Sequence, residues 1–154
     1  MIVMRLKPFA WLAIALATMG MTREQLPSGL APDHDDAPIW GIMKAGTRFQ
    51  IDRAKGLYVA SFDKTMKASE GQRFTISGYI LPLDASRNFT HFVITRRNTG
   101  CPFCPPNEMG EAVEVFSRKP IAYSTEEVTF VGRLRLVSSS TDGLFYRLED
   151  ASGS

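Results

Sequence analysis

The sequence predicts a mainly β domain: a small five-stranded antiparallel barrel that follows a short helical or irregular lead-in. Apolar and polar residues alternate in several segments between residues 73 and 150, and turn-forming residues separate these segments. Gly78 stands in the middle of the first segment, where it indicates a bulge or a sharp bend. With 154 residues and 44% hydrophobic content, the chain can form one such domain around its own core.

The segments that alternate in this way are predicted as five strands. The first two are expected to pair as a hairpin through the turn-forming residues 84–88. The third also fits one face of a helix, but its short length and the neighbouring Gly110 favour a strand. The predicted strands cover residues 73–83, 89–97, 111–116, 128–137 and 144–148.

The lead-in at residues 39–71 is predicted to contain one short helix. Phe62 and Met66, with Tyr58 or Val59 ahead of them, have helix-like spacing. A strongly curved barrel of five mostly antiparallel strands is similar to the oligonucleotide/oligosaccharide-binding (OB) fold. That fold has many functions, so it does not specify one.

The N-terminal segment has the pattern of a secretory signal. Arg5 and Lys7 precede the apolar run 9–17, which is shorter than the roughly 20 residues that a membrane span needs. We therefore expect a signal peptide at residues 1–17, a flexible leader at 18–38 and a single barrel-like domain at 39–151. The expected location is the bacterial periplasm or the exterior, with no stable membrane span after cleavage.

The charge balance argues against a nucleic-acid partner. Removing residues 1–17 takes away two basic residues, so 18 Lys and Arg against 16 Asp and Glu become 16 against 16. A near-neutral chain lacks the basic surface that binding to phosphate backbones requires.

The most distinctive chemical feature is the sequence Cys101-Pro-Phe-Cys104, which contains both cysteines and is followed by Pro105 and Pro106. In an oxidising compartment a local disulfide is the default state of two such thiols. Soft-ligand binding of zinc or copper is the second possibility, and redox exchange or an inert dithiol are the others. A thioredoxin-like site would place the first cysteine at the start of a helix, and the flanking segments are instead predicted as strands.

A closed zinc site needs four ligands, and this motif supplies two. His91, Glu108, Asp84 or a second chain would have to provide the others. His91 lies on the predicted strand before the loop, where a histidine is more often hydrogen-bonded or exposed than a ligand. No serine, histidine and acid combination and no glycine-rich phosphate loop can be identified, so no catalytic residue is assigned.

Several of these motifs together resemble the DUF3299 family of exported bacterial proteins. The resemblance covers about residues 62–151 and is carried by the segments 78–84, 92–95, 101–106, 131–134 and 146–148. It implies an envelope location and a link to metal uptake alongside transport systems, and it implies no catalytic residue. The chain lacks the lipid-modified cysteine of some members, so membrane anchoring is not implied for it.

The sequence therefore predicts a non-enzymatic periplasmic binding or accessory protein that uses the loop 101–108. Its expected partner is a transport-system component or another envelope protein. The alternative is a thiol-disulfide oxidoreductase that uses Cys101 and Cys104, and a third hypothesis is an oligonucleotide or oligosaccharide binder on the barrel face.

Overall fold

The computed structural model describes residues 38–98 and 108–153. The predicted signal peptide, most of the predicted leader, and both cysteines lie outside the described residues. The two helices are α1 (Pro38–Ala45) and α2 (Lys64–Ser69). The strands are β1 (Thr47–Asp52), β2 (Leu57–Phe62), β3 (Arg73–Pro82), β4 (Asn88–Thr95), β5 (Ala112–Ala122), β6 (Val128–Leu136), β7 (Ser139–Ser140) and β8 (Tyr146–Gly153).

Five of these strands form a closed barrel in the order β3-β4-β5-β8-β6. This confirms the mainly β, five-stranded barrel of mostly antiparallel strands, and the barrel is mixed because one pair of neighbours is parallel. Strands β5 and β8 pair in parallel, and the other neighbours pair antiparallel. Strand directions cannot alternate all the way around a closed barrel that has an odd number of strands, so at least one pair of neighbours must be parallel. Numbered within the barrel, the order is 1-2-3-5-4, the Greek-key arrangement of an OB-like barrel.

Gly78 lies where β3 changes partners. Residues 73–78 pair with β6, and the pairing with β4 begins at Tyr79. A Cβ atom at position 78 would lie 2.3 Å from the carbonyl oxygen of Thr95, so only glycine allows the two backbones to come this close. Gly78 therefore marks the point at which β3 passes from pairing with β6 to pairing with β4.

Strand β5 confirms the preference for a strand over a helix at residues 111–116, but it continues to Ala122. The sequence gives little sign of this extension because it passes through Pro120. The described pairing of β5 with β8 ends at Ser117, whereas β5 still pairs with β4 at Ile121 and Ala122. Pro120 therefore lies where β5 has an unpaired edge, which is where a strand tolerates a residue without an N–H donor.

The residues before the barrel form a cap of α1, the β1-β2 hairpin and α2. This corrects the expected lead-in, because Tyr58 and Val59 lie in β2 and pair with β1 and with the short β7. Asp52 stabilises the hairpin turn by accepting hydrogen bonds from the backbone N–H groups of Ala54 and Lys55, each at 3.2 Å. Only α2 matches the expected short helix; Asp63 caps it by accepting a 2.8 Å hydrogen bond from the Met66 N–H.

Buried and partly buried hydrogen bonds join the cap to the barrel. The Trp40 indole N–H donates to the Ser77 carbonyl at 3.0 Å, and the Tyr146 hydroxyl donates to the Met43 carbonyl at 3.1 Å. The same tyrosine oxygen lies 2.6 Å from the hydroxyl of Thr47. Burial raises the pKa of Tyr146 to about 12, so it stays neutral at physiological pH. The side chains of Trp40, Met43 and Met66 belong to the same buried cluster as the barrel core.

Candidate functional site

The segment between β4 and β5 contains the cysteine motif, and the structure describes both of its ends. At its base, the Arg96 side chain donates a 2.9 Å hydrogen bond from Nη1 to Oε1 of Glu111. The Arg96 backbone N–H also donates to the Glu111 carbonyl at 3.0 Å. The two side chains are only 18% and 7% exposed, so this ion pair is shielded from solvent. We call this arrangement the loop clamp.

The C-terminal end of the loop also contacts the cap. Lys44 of α1 donates a short hydrogen bond to Oε2 of Glu108, and this contact lowers the pKa of the Glu108 carboxyl group. Gly110 has a φ of +88°, and a Cβ atom there would lie 2.6 Å from Cζ of Phe49. A side chain at position 110 would therefore be strained and would clash with the cap. The described end of the segment, Glu108 to Gly110, therefore lies against the cap, and glycine at position 110 allows this close approach.

Of the predicted site residues, Cys101 and Cys104 lie outside the described residues, so their state stays a prediction. His91 and Glu108 are described, but each already has a charged partner within the chain. His91 Nε2 lies 2.8 Å from Oε1 of Glu114, and Glu108 is paired with Lys44. Asp84 accepts a 2.8 Å hydrogen bond from the Ser86 N–H, and the Ser86 side chain, followed by this N–H, lowers the pKa of the Asp84 carboxyl group. Within residues 38–98 and 108–153, no three His, Cys, Asp or Glu side chains lie close enough to hold a metal ion.

His91 belongs to a group of four side chains on the outside of the barrel. Its ring stacks on Phe116 with a centroid distance of 4.3 Å and an interplanar angle of 13°. Arg147 donates from Nε to the second oxygen of Glu114 at 2.8 Å, and its guanidinium carbon lies 5.3 Å from the Phe116 ring centre. We call His91, Glu114, Phe116 and Arg147 the aromatic platform. Glu114 links its two basic members, while Phe116 provides the flat surface.

Sequence reasoning missed the platform and the clamp because each joins residues that are far apart in the chain. His91 meets Phe116 through the β4-β5 register, and Arg147 meets Glu114 through the parallel β5-β8 register. One local signal did exist. Val113 and Val115 point into the core, so the alternation of β5 places Glu114 and Phe116 on the outer face.

The fold and these contacts define a small OB-like barrel protein with a clamped loop and an aromatic platform on its outer surface. No family model and no curated protein matches the sequence. Among solved structures, the chain is similar to the crystal structure of a DUF3299 family protein from Pseudomonas aeruginosa PAO1. The sequence identity is 22%, the match covers 62% of this chain and 67% of that chain, and the TM-score is 0.45. The family of that protein is the one that the sequence motifs resemble.

Among the described residues, neither helix has the length and apolar character that a membrane crossing requires.

Proposed function

We propose that this chain is a non-enzymatic, exported binding or accessory protein, and that the loop 101–108 recognises a transport-system component or another envelope protein. The observation that supports the proposal is the loop clamp. Arg96 and Glu111 join the two ends of the loop through both a shielded ion pair and a backbone hydrogen bond.

A clamped loop suits recognition because binding then costs less conformational entropy. Ordering a mobile loop on binding opposes affinity, so a loop whose ends are already fixed loses less freedom when a partner docks. Pro102, Pro105 and Pro106 restrict the backbone further, and a disulfide between Cys101 and Cys104 would do the same. Each of these features favours a rigid recognition loop.

The envelope location and the link to metal uptake are supported by the signal-like residues 1–17 and by the family resemblance. A metal-binding version of the proposal would use the two thiols, with His91 and Glu108 as further ligands for zinc or copper. Those two side chains are engaged by Glu114 and Lys44, and a metal ion would have to displace these partners. The geometry therefore favours a protein partner over a metal ion.

The first experiment is thiol counting with metal analysis on protein purified from the periplasm, before and after reduction. We expect two blocked thiols, no bound metal and two free thiols after reduction, as a local disulfide requires. Free thiols with stoichiometric zinc or copper would contradict this version and make the chain a metal-handling protein. Recovery of the protein only from the cytoplasm would contradict export.

The second experiment tests recognition with a photo-crosslinking amino acid at Phe103 of the loop. The matched control carries it at Leu83, which is 46% exposed in the β3-β4 turn. We expect position 103 to crosslink one envelope protein in living cells, position 83 not to, and replacement of both cysteines by serine to weaken the crosslink. Equal crosslinking from both positions would contradict a specific loop surface.

The thiol-disulfide oxidoreductase remains the second candidate, and the motif Cys-Pro-Phe-Cys favours it. It requires an accessible cysteine with a depressed thiol pKa. The purified protein would then catalyse disulfide exchange with glutathione, whereas the binding protein would not turn over.

A further inference from the structure

The structure contains a second feature that the proposed function does not use, an open cleft where β3, β5, β6 and β8 come together. Its volume is about 350 Å³. Arginines from three different strands line it: Arg73 on β3, Arg118 on β5 and Arg133 on β6. We call this feature the arginine cleft.

Two of these arginines face each other across neighbouring strands. Arg73 and Arg133 are direct partners in the β3-β6 register. Like charges at directly opposed positions destabilise a sheet, so this pair is unfavourable unless an anion compensates it. Arg118 adds a third positive charge to the same cleft.

The cleft contains little compensating negative charge. Asp150 is the acidic residue in its lining, and its Oδ2 lies 3.8 Å from Nη2 of Arg133, a longer separation than in the loop clamp. Within residues 38–98 and 108–153, Arg73 and Arg118 form no ion pair. Three guanidinium groups and one carboxylate leave a local excess of two positive charges.

The position of Asp150 is set by a bulge in β8. Arg133 pairs with Glu149 and Val131 with Ser152, so β8 has one residue more than β6 across this interval. Strand β5 shows the same offset, since Val115 pairs with Leu148 and Ser117 with Ala151. Asp150 has a φ of +50°, the left-handed conformation that a non-glycine residue seldom adopts. The bulge places Asp150 in the lining of the cleft, where its carboxylate offsets part of the positive charge.

We propose that the arginine cleft binds the phosphate group of a small soluble phosphate compound. Guanidinium groups match phosphate oxygens with paired, charge-assisted hydrogen bonds, and three of them from separate strands can surround one such group. The volume is at the lower end for ligand pockets and fits a phosphate monoester of a few carbons. The Ser152 hydroxyl in the lining can donate a further hydrogen bond to the ligand.

The test is calorimetric titration of the protein with inorganic phosphate and with glycerol 3-phosphate, against chloride at equal ionic strength. We expect both phosphates to bind and chloride not to. Vesicles containing phosphatidylglycerol are the comparison for a lipid headgroup as the source of the phosphate. Binding to vesicles alone, or to no phosphate compound, would overturn the proposal.

Substitutions of the basic and the acidic residues of the cleft should change phosphate affinity in opposite directions. Arg118→Gln and Arg73→Gln should each weaken phosphate binding at least about tenfold, since a hydrogen bond to a charged group contributes about that factor. Asp150→Asn should strengthen binding severalfold, because it removes the carboxylate that repels the anion. The control Arg53→Gln changes the net charge equally at an exposed turn residue outside the cleft and should leave affinity unchanged. Equal weakening by Arg53→Gln and Arg118→Gln would show a general charge effect and overturn the site.

Discussion

The loop clamp and the arginine cleft use the same guanidinium chemistry in opposite ways. At the clamp, Arg96 meets Glu111 at 2.9 Å in a shielded position. In the cleft, three arginines and one aspartate line the surface, and the aspartate pairs with Arg133 at 3.8 Å. A group that is satisfied within the chain maintains the structure, whereas a group left unbalanced at the surface is available to a ligand. The two regions should therefore respond differently to loss of charge.

Breaking the clamp should have the largest effect on stability. Glu111→Ala removes the shielded hydrogen bond between the Arg96 guanidinium and the Glu111 carboxylate, and loss of a hydrogen bond to a charged group costs about 1.5–3 kcal/mol. Urea denaturation would measure the free energy of unfolding. The control Glu126→Ala removes an exposed carboxylate and should change stability by less than about 0.5 kcal/mol. Equal effects of the two substitutions would show that the clamp is not a structural element.

Tyr146 stabilises the fold through hydrogen bonds between uncharged groups. Tyr146→Phe should lower the free energy of unfolding by about 1.5 kcal/mol, because the hydrogen bonds to Met43 and Thr47 are lost. Its folded pKa of about 12 exceeds the unfolded value of 10. The folded state therefore favours the protonated form, and this contribution is complete below pH 10 and lost as the pH rises from 10 to 12.

Denaturation measured between pH 8 and 12 would test this expectation. The Tyr146→Phe variant should lose less stability over that range than the parent protein. Tyr123→Phe, at a residue that is 43% exposed, should behave like the parent. Equal losses of stability at alkaline pH in the parent protein and in Tyr146→Phe would contradict the role of Tyr146 in this pH dependence.

The aromatic platform should contribute less to stability than the loop clamp and more than the arginine cleft. Arg147 is 39% exposed and Glu114 is 14% exposed, so a double-mutant cycle on this pair should give a coupling of about 0.5–1 kcal/mol. The exposed pair Asp52 and Lys55, at 3.6 Å, is the control and should couple weakly. A larger coupling energy for Asp52 and Lys55 than for Glu114 and Arg147 would contradict this expectation.

A substitution in the arginine cleft should change stability least, and it should stabilise the protein instead of destabilising it. Arg73→Gln removes one of two opposed positive charges, so the phosphate-free protein should become more stable by a few tenths of a kcal/mol. Thermal unfolding at low ionic strength would show the gain, and added salt should reduce it by screening. Arg53→Gln has no opposed arginine and should show no such gain. Destabilisation by Arg73→Gln would mean that Arg73 already has a structural role.

The sequence predicted those parts of the fold that local patterns encode. Alternation located all five barrel strands, and Gly78 marked the position at which β3 changes partners. The β1-β2 hairpin was missed because Tyr58 or Val59 has helix-like spacing with Phe62 and Met66. Asp52 and Gly56 nevertheless bound a recognisable turn. An odd number of strands in a closed barrel requires a parallel pair, but its identity as β5-β8 depends on the strand order.

The candidate site was less predictable because its contacts depend on strand order. His91 and Glu108 were noted for their chemistry, but their partners Glu114 and Lys44 follow from long-range register and from docking of the cap. Glu111 and Arg147 carry no local signal of a site, and Phe116 has only the alternation that places it on the outer face of β5. Cys101 and Cys104, the most distinctive pair in the sequence, lie outside the described residues, and their role stays a prediction.

The position of β8 also sets the order in which the molecule can fold. This strand lies between β5 and β6, so the barrel cannot close until residues 146–153 have been synthesised. Until then, β5 and β6 each have an unpaired edge that can join another chain. Closure also brings the Tyr146 hydroxyl to the Met43 carbonyl, so completion of the barrel adds this hydrogen bond to the cap. A shortened chain that lacks β8 should therefore aggregate instead of forming a smaller stable sheet.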